Sequence, residues 1–347
     1  MEPMVPPRRF SLSACWFNLL AWLLCKVYFS SVRIVGAPLR RRTHQLIVCS
    51  HRNGAIDGCC VKLAFPRALF PLSVQLLRNA LLRLMFTGIP VVRPKDRERY
   101  GESVAGHGSV IRAACAHLRA GGALAMFPEG SSEWGPRPLP YHSGTARIVR
   151  ILLDEGVPLE VTPLGLFYHA PDRFRSGVEI LLGEPVALPA RQGADPREWE
   201  RQIHAALSQA LDTVSVNCPD VASFERVERL ARADARRGQS YALAFKHWER
   251  QAAQGLPSDA PAPRGTPLWR WLCGLPGMAL LAPVLLIGFL AGRKADARNT
   301  VTFFRIVGGF AAALLWLPAL AVLFGFFPLP MLCWSALAAA GWPAFKR

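Results

Sequence analysis

Acidic residues are scarce in this sequence of 347 residues. There are 24 aspartates and glutamates against 41 lysines and arginines, which gives a formal net charge of +17. Charged residues make up only 19% of the chain, whereas hydrophobic residues make up 51%. An intrinsically disordered chain has the opposite balance and is excluded. The basic excess indicates an anionic partner, which could be a nucleic acid, an anionic membrane surface or a phosphorylated substrate.

Signature motifs of several common classes are also missing. The nine cysteines are scattered, without a C-x-x-C pair, and this indicates free thiols in a reducing, cytosol-facing chain rather than a disulfide framework or a zinc site. There is no G-x-S-x-G elbow, no G-x-x-x-x-G-K-[ST] loop and no metal-ligand spacing, so we expect no metal or other cofactor. Basic residues are spread out and not interleaved with aromatic ones, so nucleic acid is not expected as the partner.

Long apolar runs lie towards both ends of the chain. The first run, residues 10–25, follows a pair of arginines, and no small-x-small cleavage site comes after it. We expect a membrane-anchoring or interfacial helix here rather than a cleaved signal peptide, and a helix that packs in the core is the alternative. Residues 271–292 and 306–345 contain no charged residue. Because a spanning helix needs about 20 apolar residues, both of these runs are long enough to enter a membrane.

The second C-terminal run is long enough for two transmembrane helices, with a turn at residues 328–330. The other C-terminal run, residues 271–292, contains Pro276 and Pro283, which favour a re-entrant segment. The short basic loop at 293–298 then stays in the cytosol, as short basic loops prefer to do.

The middle of the chain has the pattern of an α/β domain. Short apolar runs at 45–49, 89–92, 123–127, 159–168 and 178–182 predict strands, and residues 104–120 and 145–153 predict helices. This alternation predicts a mixed, largely parallel sheet flanked by helices. The expected organisation is an N-terminal membrane-associated segment (1–38), a catalytic domain (39–215), a charged helical segment (216–253), a proline-rich linker (254–267) and a hydrophobic membrane region (268–347).

Two strand ends carry side chains suited to acid–base chemistry. His51 follows the strand 45–49, and Asp57 comes six residues later. Histidine suits general-base work near neutral pH, and a nearby carboxylate can fix its tautomer. The second strand end is the sequence Phe127-Pro-Glu-Gly-Ser-Ser, which includes Glu129 and Gly130. Turn positions on a rigid scaffold often hold binding residues.

Two further blocks belong to the same pattern. Arg93 and Lys95 follow the strand at 89–92, where their cationic groups could hold a phosphate. The fourth block begins at Val157-Pro and ends at Pro163.

Taken together, the order and spacing of these four blocks resemble the glycerolipid (PlsC-like) acyltransferase family over roughly residues 45–190. The family blocks NHxxxxD, G…R, FPEGTRS and V-P-x-x-P correspond to His51…Asp57, Gly88…Arg93, the block around Glu129, and Val157…Pro163. Five residues separate His51 from Asp57 instead of the usual four, so the pair must meet through a turn at Asn53-Gly54. This spacing resembles a subgroup that includes the fungal-type glycerol-3-phosphate and dihydroxyacetone-phosphate acyltransferases, and the C-terminal region is similar to it as well.

The resemblance implies a membrane-bound O-acyltransferase of phospholipid biosynthesis, with its catalytic domain on the cytoplasmic face. His51, oriented by Asp57, would take the proton from a hydroxyl of glycerol-3-phosphate or a lysophospholipid acceptor, and that oxygen would attack acyl-CoA or acyl carrier protein directly. The lipid bilayer is the further partner. The family arginine after the FPEGT block is Ser132 here, so Arg93 would make more of the contacts with the acceptor phosphate. The substrate-binding residues implied are Arg93, Lys95, Glu129, Gly130, Ser131, Arg137 and Pro163.

Three alternatives stay open at this point. Cys49 or Ser50 beside His51, or Ser143 beside His142, could be a hydrolytic nucleophile, although neighbours on a strand point to opposite faces. The chain could also be an inactive lipid-binding scaffold with an acyltransferase fold, or an acyltransferase that acts on another lysolipid.

Overall fold

A six-stranded sheet forms the centre of the protein in a computed structural model. The structure describes residues 12–91, 107–252, 255, 257 and 267–345. The strands in the described part of the chain, which belong to this sheet or to a small separate ribbon, are β1 (Ser31–Gly36), β2 (Gln45–Cys49), β3 (Ala68–Leu69), β4 (Pro71–Ser73), β5 (Ile89–Val91), β6 (Ala123–Met126), β7 (Glu160–Tyr168) and β8 (Gly177–Leu182). The order across the large sheet is β1-β8-β7-β2-β6-β3, and β4 pairs with β5 in a separate ribbon.

Helices cover this sheet. They alternate with its strands along the chain, and further helices come after the last strand. They are α1 (Leu12–Tyr28), α2 (Ala55–Ala64), α3 (Val74–Arg78), α4 (Ala80–Met85), α5 (His107–Arg119), α6 (Gly144–Asp154), α7 (Pro196–Val214), α8 (Val221–Arg236), α9 (Tyr241–Gln251), α10 (Leu268–Leu280), α11 (Ala282–Gly292), α12 (Val301–Phe326) and α13 (Pro328–Gly341).

The direction of the strands confirms the predicted mixed, largely parallel sheet flanked by helices. Among the described strands of the large sheet, β7 and β8 pair antiparallel and every other neighbouring pair is parallel. All five residues of β2 are buried. Neighbouring β2 side chains enter different apolar clusters. Ile47 packs in the cluster that includes α1 and α2, and Leu46 packs in the cluster that includes α6 and α7. A strand covered by helices on both faces reads as a continuous apolar run, which is why the sequence pattern identified it.

The sequence pattern missed β1, β3 and β4. β3 and β4 have two and three residues, too few to show any alternation. β1 lies at an edge of the sheet and carries an arginine among its apolar residues. The charged helical segment predicted at 216–253 contains α8 and α9.

Helix α1 presents apolar side chains in two directions. Leu20 and Cys25 are buried in the same cluster as α2, whereas Trp16 and Trp22 on α1 are 44% and 47% exposed. The buried face therefore agrees with the core-packing alternative. The exposed aromatic face is typical of helices that lie at a membrane interface.

The C-terminal apolar region differs from the two transmembrane helices predicted within 306–345. One helix, α12, has 26 residues and is long and apolar enough to cross a membrane. The following helix, α13, has 14 residues, and a rise of 1.5 Å per residue gives it a length of about 21 Å, less than the hydrocarbon thickness of about 30 Å. Helices α10 and α11 are bent by 98° at their junction, as in a broken span or a re-entrant loop.

One buried arginine ties the ends of the described chain to the sheet. Arg175 precedes β8, and its guanidinium donates to two carbonyl oxygens at the end of α1. They belong to Lys26 in the last turn of the helix, at 2.9 Å, and to Phe29 directly after it, at 2.8 Å. It also donates to the carbonyls of Trp342 and Phe345, at 2.8 and 3.0 Å. Burial lowers the pKa of Arg175 to about 10, so it stays charged at neutral pH.

Candidate active site

A tight turn after β2 brings His51 and Asp57 together. Asp57 lies in the first turn of α2 and is fully buried, and its Oδ2 is 2.8 Å from Nδ1 of His51. The same oxygen accepts the backbone N–H groups of Arg52 at 2.7 Å and Asn53 at 2.8 Å. Gly54, with a φ of +59°, allows the chain to reverse between them, because glycine adopts this conformation without steric cost.

The other oxygen of Asp57 is also occupied. Oδ1 accepts the hydroxyl of Tyr168, the last residue of β7, at 2.6 Å. Burial, followed by the neighbouring Asp57 carboxylate, raises the pKa of Tyr168 well above its ordinary value, so its hydroxyl keeps its proton and donates it. A carboxylate only accepts hydrogen bonds, so a neutral His51 bonded to Asp57 would carry its proton on Nδ1. Its Nε2 would then have the free lone pair that a base needs.

Glu129 joins this turn to the second motif. Its Oε1 accepts the backbone N–H of His51 at 2.7 Å, and its Oε2 accepts that of Leu139 at 3.0 Å. The carboxylate is 3% exposed, and burial raises the pKa of Glu129 despite these hydrogen bonds. The structure therefore shows Glu129 orienting the backbone at His51. Contact of Glu129 with an acceptor stays a prediction.

Around the histidine, the FPEGS block supplies a ring and a second turn. The His51 side chain is 17% exposed, and its ring centre lies 4.6 Å from that of Phe127. Gly130 has a φ of +67°, and a Cβ built there would lie 3.1 Å from the ring of His142. Ser131 beside it is half-buried. The imidazole thus keeps an accessible edge beside a turn that has little room for a side chain.

The remaining sequence-predicted binding residues are placed differently. Arg137 donates to the carbonyl oxygens of Cys218 and Pro219 at 3.1 and 2.9 Å, so its guanidinium supports the start of α8. Pro163 is buried in β7, where it pairs with Val48 of β2. Arg93 and Lys95 lie outside the described residues. Their phosphate-binding roles, and those of Arg137 and Pro163, stay predictions.

A buried arginine that the sequence analysis did not single out lies behind the turn. The guanidinium of Arg52 is 4.6 Å from the ring centre of Trp134 and donates to the carbonyl of Gly135 at 2.9 Å. Burial lowers the pKa of Arg52, while the negative charges of Glu129, Glu228 and Asp57 act in the opposite direction. This positive charge stabilises the two buried carboxylates that hold the turn. Arg52 gave no sequence signal because its partners are distant in the chain.

The alternative nucleophiles beside His51 are not arranged for attack. Cys49 is fully buried, and burial raises the pKa of its thiol well above the ordinary value. Ser50 is 1% exposed, and its Oγ accepts the backbone N–H of Leu166 at 2.9 Å. Both side chains serve the packing and pairing of the sheet. Within the described ranges, no group of three or more histidine, cysteine or acidic residues could hold a metal ion.

The two backbone hydrogen bonds of Glu129 give a testable prediction. We expect Glu129→Gln to lower the free energy of unfolding by about 1–3 kcal/mol, because the amide NH₂ replaces one acceptor and leaves a buried N–H unpaired. The freed N–H belongs to His51 or Leu139, so any activity that depends on His51 should fall together with stability. Thermal and denaturant unfolding would measure the change. The exposed Glu133→Gln is the matched control, and equal stability of both variants would contradict this role of Glu129.

Comparison with known proteins adds an independent observation. No family model matches the chain. The chain is 31% identical over 110 residues to glycerol-3-phosphate O-acyltransferase 2 of Saccharomyces cerevisiae, a match that covers 30% of the chain and 15% of the yeast protein. It is 27% identical over 124 residues to glycerol-3-phosphate O-acyltransferase 1 of the same yeast, covering 33% and 16%. Over about a third of its length, the chain is thus similar to these two glycerol-3-phosphate O-acyltransferases. It spans less than a fifth of the length of these curated relatives.

One solved structure is also similar to part of the chain. It is the 1-acyl-sn-glycerophosphate acyltransferase PlsC of Thermotoga maritima, with a TM-score of 0.38 and 15% sequence identity. The match covers 56% of this chain and 78% of that one.

Proposed function

We propose that the chain is a membrane-bound O-acyltransferase that moves a fatty acyl group onto a hydroxyl of a glycerol phosphate. The observation that carries the proposal is the 2.8 Å contact between Nδ1 of His51 and the fully buried Asp57. It leaves Nε2 of a partly exposed imidazole as the base, the arrangement that activation of an alcohol requires. The similarity to the yeast glycerol-3-phosphate O-acyltransferases supports the substrate class.

The reaction proposed is direct transfer from a thioester. Nε2 of His51 takes the proton of the acceptor hydroxyl while the hydroxyl oxygen attacks the thioester carbonyl carbon. The C–S bond then breaks, and the imidazolium returns the proton to the leaving thiolate of CoA or acyl carrier protein. The Asp57 carboxylate, held by four donors, stabilises the imidazolium that forms. Cys49 and Ser50 are buried, and the Ser50 hydroxyl oxygen already accepts a backbone hydrogen bond. Both observations support a path without an acyl-enzyme. Arg93 and Lys95 are the proposed ligands of the acceptor phosphate.

The membrane is the proposed source of the acyl chain and the location of the enzyme. Helix α12 is long and apolar enough to span a bilayer, and α1 exposes tryptophans. The basic charge of the chain suits an anionic leaflet, and the basic loop at 293–298 suits the cytoplasmic side. We therefore propose that the catalytic part lies on the cytoplasmic face.

An acceptor panel tests the proposed function. Purified full-length protein in lipid nanodiscs would be given radiolabelled palmitoyl-CoA or palmitoyl-acyl carrier protein. Each donor would be combined with glycerol-3-phosphate, dihydroxyacetone phosphate, 1-acyl-glycerol-3-phosphate or a choline lysophospholipid. We expect labelled product with a phosphate-terminated acceptor. Product from the choline lysolipid alone would move the activity to another lysolipid, and absence of product from every pair, with lysolipid still bound, would favour the inactive lipid-binding alternative.

A further inference from the structure

The start of the apolar helix α12 reaches into the candidate active site. The side-chain N–H₂ of Asn299 donates to the carbonyl oxygen of Ser132 at 3.1 Å and to its Oγ at 3.2 Å. Thr302, in the first turn of α12, is hydrogen-bonded to the side chain of Asn53 at 3.3 Å and to the carbonyl of Pro171. Asn299 is 5% exposed and Thr302 is fully buried. One segment far along the chain thus contacts both motif turns.

The chemistry of the partners fixes the direction of these bonds. The carbonyl of Pro171 can only accept, so the hydroxyl of Thr302 donates its single proton there. The same oxygen must then accept from Asn53, whose side-chain N–H₂ is oriented towards it. The backbone N–H of Asn53 in turn donates to Asp57. Thr302 is therefore linked through one residue to the carboxylate that holds His51.

The two motif turns also lie against each other at this point. A Cβ built on Gly54 would lie 3.9 Å from Oγ of Ser132 and 4.0 Å from the carbonyl oxygen of Asn299. The backbone N–H of Glu133 donates to the carbonyl of His51 at 3.1 Å, so the two motif turns are in direct contact, and the start of α12 lies beside them. Displacing the helix by an ångström would move the surroundings of His51, and a displacement of that size in an active site can lower a rate about 10²-fold.

Local capping does not account for these contacts. Thr300, the residue before α12, bonds to Asp296 and to the carbonyl of Ala297, both in its own loop. Asn299 and Thr302 instead direct their polar groups to residues at 132 and 53. Arg298 forms an ion pair with Asp172 at 2.8 Å, which fixes the same segment to the catalytic domain.

We propose that Asn299 and Thr302 are positioning residues of the active site, through which the C-terminal apolar helix holds the two motif turns in register. The proposal rests on the proposed acyltransferase function for its kinetic consequence. Seating of α12 would then be required for the catalytic turns to keep their geometry, which ties the chemistry to the lipid-facing part of the chain.

Removing the hydroxyl of Thr302 without changing its shape tests this role. We expect Thr302→Val in nanodiscs to lower kcat about 10-fold while the KM values for donor and acceptor change less than about twofold, since substrate contacts remain and only the turn is loosened. Thr302→Ser keeps the hydroxyl and should recover most of the rate. Thr300→Val is the matched control and should behave as wild type. A wild-type kcat for Thr302→Val, or no recovery by Thr302→Ser, would overturn the proposal.

Hydrogen exchange provides a readout that does not depend on activity. The N–H groups of His51, Arg52 and Asn53 are held by the carboxylates of Glu129 and Asp57. We expect peptides covering residues 50–57 to exchange faster in Thr302→Val, and those covering 128–133 to do so in Asn299→Asp, with both peptides unchanged in Thr300→Val. Unchanged exchange in both site variants would overturn the tether. A wild-type chain without transferase activity would instead contradict the proposed function, and exchange would still decide the tether.

Discussion

Replacing His51 by alanine is expected to lower the acyl-transfer rate by about 10²–10⁴-fold, the contribution typical of a positioned general base. Nδ1 of His51 is bonded to Asp57, so the variant loses the Nε2 base and leaves the buried carboxylate without one of its donors. The imidazole is 17% exposed and lies at the end of a turn, so we expect the fold to survive. Product formation at saturating donor and acceptor would measure the effect, with thermal unfolding to verify the fold.

Two other histidines make this prediction selective. His247 is exposed on α9, and His247→Ala should keep the wild-type rate. His142 lies beside Gly130, close to the second motif. Activity that survives His51→Ala and disappears in His142→Ala would move the base to His142. Equal product from wild type and His51→Ala, with no loss in His142→Ala, would contradict catalysis by either of these two histidines.

The contact between His51 and Asp57 was accessible from the sequence because it is local. The chain must reverse within a few residues after a buried strand, and Asn53-Gly54 is a pair that permits the reversal. Gly54 has the positive φ that such a reversal needs. The sheet around it was predictable for a related reason, since strands covered on both sides show uninterrupted apolar runs.

The groups that hold this pair were not accessible in the same way. Tyr168 is 111 positions from Asp57, and Thr302 is 249 from Asn53, so no local spacing connects them. Glu129 was identified by its motif, but which groups its carboxylate would face depends on how β2 and β6 pair in the sheet. The resemblance makes Arg137 a candidate substrate ligand, but neither its motif nor its charge reveals that its partners are two backbone carbonyls.

The apolar C-terminal region shows a further limit of sequence patterns. Counting uncharged residues placed the first helix of the hairpin after Arg305, whereas α12 begins at Val301 and includes that arginine. Arg305 is tolerated within the helix because it donates to the carbonyl of Asp172, between β7 and β8. A charge at the end of an apolar run can therefore mark a docking contact as well as a boundary.

Replacing Arg175 by methionine is expected to lower the free energy of unfolding by about 3–5 kcal/mol. A buried carbonyl without its donor costs about 1–3 kcal/mol, and four carbonyls lose theirs together, although relaxation and water recover part of the loss. The φ of Arg175 is +64°, a conformation that residues other than glycine rarely adopt. The variant would keep this unfavourable conformation without the hydrogen bonds that offset it.

Unfolding of Arg175→Met in detergent, followed by circular dichroism, would measure this loss of stability. The exposed Arg173→Met makes the same change two positions away and should leave stability within about 0.5 kcal/mol of wild type. Arg175→Lys keeps the charge but not the planar set of donors, so it should fall between the two. Because the four carbonyls belong to the end of α1 and to the residues after α13, limited proteolysis should first release these terminal segments. Equal stability of Arg175→Met and Arg173→Met would show that the terminal segments are held by apolar packing rather than by this guanidinium.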